Sequence, residues 1–185
     1  DLLGVGYFGT GTLIIENGGT VSNTDAFVGD KAGSTGSVTV TGGGSTWTNS
    51  GQLHVGYEGT GTLTIVDGGK VSNTVGYVGV GAGSTSTVTV TGLSSTWTNS
   101  AELYVGGSGT GTLTIAGGGK VSNTVGYVGH ASGSTGTVTV TGAGSTWTNS
   151  AELYVGHQGT GTLTIAAGGA VTSTGGGGGC ARGGN

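Results

Sequence analysis

Few side chains in this sequence have the types and spacing that chemistry at a site requires. The 185 residues include three histidines, eight acidic residues and four basic residues. We expect His54, His130 and His157 to take non-equivalent places in the chain's repeats, and their spacing matches no common zinc pattern. The acidic residues are scattered, and the GGxGxD turn that binds calcium in repeat toxins is missing. The sequence therefore predicts no metal site and no cofactor.

Catalytic patterns are also missing from the sequence. Nothing resembles a nucleophile elbow, and the Gly-rich run GTGTLTI at 59–65 has neither a Walker lysine nor a following helix. A pectin-cleaving solenoid would need clustered acids beside a cation, and the basic residues are only Lys31, Lys70, Lys120 and Arg182. The single cysteine, Cys180, cannot form an internal disulfide. We predict that the chain is not an enzyme and has no catalytic residues.

The composition limits the class of protein and of partner. The chain has 48 Gly, no Pro and 6% charged residues, with a net charge of −4. Collagen is excluded because Gly does not recur at every third position, and alternating runs of Val, Leu, Ile and Thr argue against disorder. The acidic balance gives no basic surface for nucleic acid or anionic lipid. No apolar stretch approaches the ~20 residues of a membrane span, so we expect no membrane insertion.

The sequence repeats itself every 50 residues, and each repeat contains two weaker halves. TGAGSTWTNSAELYVG at 141–156 copies TGLSSTWTNSAELYVG at 91–106. Both halves contain a short run ending in VG, a Thr-rich run, and then VSNT or WTNS, with Gly-rich links between them. Seven halves form one predicted domain over 1–174, and the Gly-rich tail 175–185 matches none of them. Their predicted bounds are 1–24, 25–50, 51–74, 75–100, 101–124, 125–150 and 151–174.

Each half holds three alternating runs of β-branched residues separated by Gly, which indicates three short strands. Three strands per ~25-residue unit, repeated seven times, predict an all-β fold, a right-handed parallel β-solenoid of about seven coils. The rival interpretation is an antiparallel sandwich or barrel. Its loops would not require the same sequence every 25 residues, so we favour the solenoid.

Alternation assigns the inward side chains. We expect Trp47, Trp97 and Trp147 to lie inside, each stacked between Val residues of the coils before and after it, which avoids a clash between rings. Two residues later comes a column of amides, with the alternative roles of a polar binding stripe or a structural ladder that passes hydrogen bonds between coils. We favour the ladder. The amides are Asn23, Asn49, Asn73, Asn99, Asn123 and Asn149.

Two outward columns are candidate binding surfaces. The first strand of each coil exposes one position, which is aromatic in most coils and forms either a platform for sugar rings or proteins or a ladder of cross-strand pairs. This column contains Phe27, His54, Tyr77, Tyr104, Tyr127 and Tyr154. The middle strand exposes a grid of hydroxyls and methyls, which includes Thr60, Thr62, Thr64, Thr85, Thr87, Thr89, Thr110, Thr112, Thr114, Thr135, Thr137 and Thr139.

The threonine grid has two interpretations. Its T-x-T pattern resembles the ice-binding face of β-solenoid antifreeze proteins, with rows predicted to be ~6.6–7 Å apart and coils ~4.8 Å apart. Alternatively, Thr is present because a β-branched polar residue suits any exposed strand. The second interpretation is supported by the further threonines in the neighbouring runs, such as Thr96 and Thr98.

The repeats themselves resemble a known family. VGxxGTGTLTIxxGGxVSNT and GSTGTVTVTGxGSTWTNS, as at 105–124 and 133–150, are similar to repeats of autotransporter (type V secretion) passenger domains and of PEP-CTERM-associated surface proteins of Gram-negative bacteria. The resemblance covers 1–174. It implies a secreted or cell-surface β-helical stalk, often adhesive, and it carries over no catalytic residues.

These observations favour a non-enzymatic extracellular structural or adhesive protein at the Gram-negative cell surface, with a host or matrix surface as its possible partner. The alternative is a rod that binds ice through the threonine grid or glycan through the tyrosine column. The sequence opens at Asp1 in mid-pattern, and neither terminal repeat carries a polar cap. We therefore expect either a fragment that continues into further coils or copies that stack head to tail.

Overall fold

A computed structural model describes residues 1–175, and in this range the chain forms 21 strands, numbered β1 to β21 in chain order, and no helix. Every third strand pairs in parallel with the next, giving three seven-stranded sheets. Sheet A contains β1 (Leu2–Val5), β4 (Asp25–Val28), β7 (Leu53–Val55), β10 (Gly76–Val78), β13 (Leu103–Val105), β16 (Gly126–Val128) and β19 (Leu153–Val155). The calls on Cys180 and on most of the tail lie outside the described residues.

The other two sheets follow the same order. Sheet B contains β2 (Thr10–Ile15), β5 (Thr35–Thr41), β8 (Thr60–Val66), β11 (Thr85–Thr91), β14 (Thr110–Ala116), β17 (Thr135–Thr141) and β20 (Thr160–Ala166). Sheet C contains β3 (Thr20–Asn23), β6 (Thr46–Asn49), β9 (Lys70–Asn73), β12 (Thr96–Asn99), β15 (Lys120–Asn123), β18 (Thr146–Asn149) and β21 (Ala170–Ser173). The chain is thus a parallel β-solenoid of seven three-strand coils, as the repeats predict. The described part of the chain has no helix with the length and apolarity that a membrane crossing needs.

The core is a continuous column of apolar side chains between the three sheets. Leu113 and Ile115 of sheet B are completely buried, as are the equivalent Val138 and Val140 of the next coil. In sheet C, Trp97 pairs with Val71 of the coil before it and with Val121 of the coil after it. The predicted alternation of large and small side chains is confirmed, and it gives the packing a period of two coils.

Glycine is required where each coil turns from sheet A to sheet B. The seven glycines that follow the sheet A strands all have φ between 69° and 76°. At Gly29, a Cβ atom would also lie 2.1 Å from the carbonyl oxygen of Thr60 in the next coil. Both the left-handed backbone and the close approach of the next coil exclude other residues here.

The second residue of each sheet B strand also lies close to the backbone of neighbouring residues, which leaves little room for a Cβ atom. It is glycine in six coils and Ser86 in the seventh. A Cβ at Gly136 would lie 2.2 Å from Val105 O. At Ser86 the ladder to the preceding coil is shorter, because the pairing of β8 with β11 begins at Thr62 and Thr87, two residues later than the pairing of β14 with β17. The Ser86 hydroxyl instead accepts a hydrogen bond from Gly61 N at 3.3 Å.

Ser86→Gly is expected to stabilise the chain and Gly136→Ser to destabilise it. Overpacking at such a position costs about 1–3 kcal/mol, which exceeds the cost of about 0.5–1 kcal/mol for an added glycine within a strand. Urea unfolding should therefore show a higher midpoint for Ser86→Gly and a lower one for Gly136→Ser. A lower midpoint for Ser86→Gly would contradict the crowding described here.

Candidate functional site

The outward side of sheet B carries rows of threonines in register from coil to coil, here called the Thr array. Its rows run along the rod because threonines of one coil pair with the residues 25 positions later, as Thr110 with Thr135 and Thr112 with Thr137. Ser37 and Ile14 interrupt the second and third rows. The array comprises Thr10, Thr35, Thr60, Thr85, Thr110, Thr135, Thr160, Thr12, Thr62, Thr87, Thr112, Thr137, Thr162, Thr39, Thr64, Thr89, Thr114, Thr139 and Thr164.

The Thr array is positioned by the core beneath it. In β14 the burial alternates residue by residue, so Leu113 and Ile115 point inward while Thr112 and Thr114 point outward. Parallel strands at a spacing of about 4.8 Å, with every second residue outward at about 6.6–7 Å, set the two repeats of the surface. The result is a regular array of hydroxyl and methyl groups on one face of the rod.

The aromatic residues of sheet A form a stack along the rod, here called the aromatic column. Successive ring centroids from Phe27 to Tyr154 are 4.6–5.2 Å apart, with ring planes within 12° of parallel. These side chains point outward as predicted, but they are less exposed than predicted. His54 is only 7% exposed, and the tyrosines are half-buried. Each inner ring has its faces covered by its neighbours, so the column presents edges and hydroxyls to a ligand. Burial, with Glu102 nearby, raises the pKa of Tyr104 to about 12.

A second row of rings covers the aromatic column edge-on. His130 lies 5.0 Å from Tyr104, nearly perpendicular to it, and Tyr57 meets His54 in the same way at 5.4 Å. The expectation that the three histidines are non-equivalent is wrong for two of them, because His130 and His157 occupy the same place and stack at 5.1 Å. The shared sequence YVGH at 127–130 and 154–157 shows that the two histidines are equivalent. The equivalence is hard to recognise because the links between strands differ in length. Residues 1–175 contain no group of three His, Cys, Asp or Glu that could hold a metal ion.

His54 is the buried titratable group of the aromatic column. Its Nε2 lies 3.0 Å from Gln52 Oε1, and its Nδ1 is buried without a hydrogen-bond partner. A neutral ring that donates Nε2–H to Gln52 fits this environment. Burial lowers the pKa of His54 to about 4, against the weaker opposing effects of Asp25 and Asp30.

The asparagines of sheet C form pairs closed by tryptophan. Asn73 donates from Nδ2 to Asn99 Oδ1 at 2.6 Å, and its own Oδ1 accepts from Trp97 Nε1 at 2.7 Å. The hydrogen bonds pass from coil to coil as predicted, but the amide-to-amide bonds are not continuous, because Asn99 donates to the backbone oxygen of Ser122 in the next coil at 3.3 Å. The same arrangement occurs at Asn23 with Asn49 and Trp47, and at Asn123 with Asn149 and Trp147. The amides therefore satisfy the indoles inside the core and offer no binding stripe.

Trp97→Ala is expected to lower the free energy of unfolding by about 3–5 kcal/mol, because it opens a cavity in the core and leaves Asn73 Oδ1 without its donor. Tyr104→Ala is the matched control. It removes an outward ring from the aromatic column and should cost about 1 kcal/mol or less for each stacking pair. Urea unfolding of both variants measures the difference. A larger loss for Tyr104→Ala would contradict the assigned importance of the indole.

Stability is expected to fall as the pH is lowered from about 6.5 to about 4. The unfolded chain binds a proton at His54 near the ordinary pKa of 6.5, whereas the folded chain binds it only near 4, so the unfolded state binds more protons between these values. The loss should approach about 3 kcal/mol at the low end of the window. His54→Tyr places in this coil the residue that four other coils use, and it should remove most of the slope. An unchanged pH dependence in His54→Tyr would refute the assignment.

No protein-family model, curated protein or solved structure matches this chain. Function is therefore inferred from the surfaces of the rod. Among these surfaces, the Thr array has the most residues in a regular arrangement. The ring faces within the aromatic column are covered by neighbouring rings, and the Trp–Asn pairs lie inside the core.

Proposed function

We propose that this chain is a non-enzymatic extracellular β-solenoid, a structural or adhesive rod that makes contact through its Thr array. The observation that carries the proposal is the register of the array, in which threonines on seven successive strands face outward on one side. Such a face has few charges, and it repeats along the rod. It can therefore meet another extended surface at many equivalent points.

The interior supports the structural part of the proposal. Consecutive coils are joined by backbone hydrogen bonds even outside the strands, as from Gly106 N to Val78 O at 2.8 Å and from Gly129 N to Val105 O at 2.9 Å. Buried indoles and amides are paired within the core. A rod held together in this way has few free backbone groups for a protease to engage, which suits a protein outside the cell.

The cell-surface location rests on the resemblance of the repeats to autotransporter passengers and PEP-CTERM-associated proteins. We place the rod at the outer surface of a Gram-negative bacterium on that basis. A host or matrix surface is then its proposed partner. Self-association by head-to-tail stacking of copies is proposed as the way in which such rods lengthen.

Ice binding through the Thr array is the second candidate function. The regular two-dimensional spacing of hydroxyls and methyls favours it, because an ordered array of this kind can match an ordered water lattice. Glycan stacking on the tyrosines is less favoured, since Tyr104 has a parallel ring at 5.0 Å on one side and at 4.8 Å on the other. No ring face of an inner tyrosine is free for a sugar.

Adhesion through the Thr array can be tested with a charge placed within it. Thr112→Lys with Thr137→Lys should abolish retention of the rod on immobilised matrix or host cell layers, because two ammonium groups disrupt the array. Ser108→Lys with Gln158→Lys adds the same charge at exposed turn positions and should leave retention unchanged. Equal retention of all three proteins, or none by the unaltered chain, would contradict the adhesive role.

Ice binding predicts thermal hysteresis in a dilute solution of the unaltered chain. The hysteresis should disappear in Thr112→Lys with Thr137→Lys and persist in the turn-charge control. The hysteresis is measured as the difference between the melting point and the freezing point in the presence of a seed crystal. A solution that freezes at its equilibrium melting point would eliminate this second candidate while leaving adhesion untouched.

A further inference from the structure

Two lysines share one outward column of sheet C. Thr96 pairs with Lys70 on one side and with Lys120 on the other, so the lysines lie two coils apart, a rise of about 9–10 Å. Both are exposed. The spacing matches the two-coil repeat of the core, since each of these lysines precedes a Val, whereas Thr96 between them precedes a Trp.

Neither lysine is neutralised within the described chain. Among residues 1–175, the acidic and basic groups that form an ion pair are Lys31 and Asp30, 3.4 Å apart. Asp67 lies in the turn that precedes Lys70 without forming an ion pair with it. In a chain with a net charge of −4, two unpaired cations at a fixed separation form a local site that complements negative charge.

The lysines border a cleft with one apolar wall. The cleft has a volume of about 540 Å³ and is lined by Lys70, Leu93, Thr96, Gly118 and Lys120, together with Ser94 and Gly144. Leu93 is 79% exposed, and the equivalent positions in the other Trp-containing coils are Gly43 and Ala143. A large exposed apolar side chain therefore occurs in the coil that lies between the two lysines.

We propose that this cleft binds a linear anionic polysaccharide that carries one acidic group on every second sugar. Successive acidic groups of such an extended chain are separated by about the length of a disaccharide, which is comparable to the two-coil separation of Lys70 and Lys120. The Leu93 side chain would contact the apolar face of the sugar between them, and Thr96 would donate or accept a hydrogen bond. The inference rests on the proposed adhesive role, for which it names a ligand on a face other than the Thr array.

Other polyanions fit the cleft less well. Nucleic acid binding relies on many phosphate contacts and on a basic surface, whereas this face has two cations. An acidic peptide would satisfy the lysines, but it provides no flat apolar face for Leu93. The polysaccharide matches the charge spacing, the apolar wall and the hydroxyl-rich rows of sheet C together.

Hyaluronan oligosaccharides test this proposal because they carry one carboxylate per disaccharide. The tetrasaccharide spans two carboxylates and should bind the intact 185-residue chain at low salt, with weaker binding as salt is added. The disaccharide should bind about tenfold more weakly or not measurably, since it loses one charged hydrogen bond. Titration followed by NMR chemical shifts would report the affinity and the residues affected.

Variants of Lys70 and Lys120 test whether binding depends on the spacing of the two charges or only on their number. Lys70→Gln with Lys120→Gln should abolish binding, whereas Lys31→Gln, which removes a lysine on another face, should not change it. Thr96→Lys with Lys120→Thr keeps two lysines but places them about 5 Å apart, and it should also bind poorly. Circular dichroism checks that each variant remains folded.

Three outcomes would overturn the proposal: no binding of the tetrasaccharide at millimolar concentration, equal binding by the double Gln variant, or equally tight binding of polyglutamate. Thr112→Val with Thr137→Val alters the Thr array alone and should bind the tetrasaccharide normally. If that variant loses adhesion but still binds the tetrasaccharide, the Thr array and the lysine cleft act independently. Failure of the adhesive role of the Thr array can then be distinguished from failure of sugar binding in the cleft.

Discussion

Parallel pairing of each coil with the next, in strict register, is the constraint on which the rest of the structure depends. A single coil buries little apolar surface alone, so stability has to come from stacking of neighbours. Stacking in register places every side chain on its counterpart 25 or so residues away, as Thr112 lies on Thr87 and under Thr137. The Thr array, the aromatic column and the spacing of the two lysines are all consequences of this one relation.

Close stacking also explains the two-coil period. Adjacent coils cannot both place an indole at the sheet C position, so Trp97 lies between Val71 and Val121. Trp97 is completely buried, so its indole N–H needs a partner within the protein, and Asn73 of the coil before supplies it. The two lysines of sheet C follow the same two-coil period, since Lys70 precedes Val71 and Lys120 precedes Val121.

Much of the fold could be predicted from the sequence, because alternation and Gly spacing report directly on strand faces and turns. The inward positions of Leu113, Ile115 and Trp97 followed from that pattern. The indole–amide bond could not be predicted, because the side-chain direction that brings Trp97 to Asn73 depends on the packing between coils. The stacking of His130 on His157 was obscured by links of unequal length, and the half-burial of the tyrosines depends on rings from a neighbouring turn.

The packing unit of the rod is a pair of coils, one with Trp and one with Val at the same place in sheet C. Deletion of residues 51–100 removes a whole unit and preserves the alternation, whereas deletion of 51–74 brings the Trp47 coil onto the Trp97 coil. The free energy of unfolding in urea should therefore be higher for the five-coil chain than for the six-coil chain. A more stable six-coil chain, with stability that rises simply with the number of coils, would contradict the account.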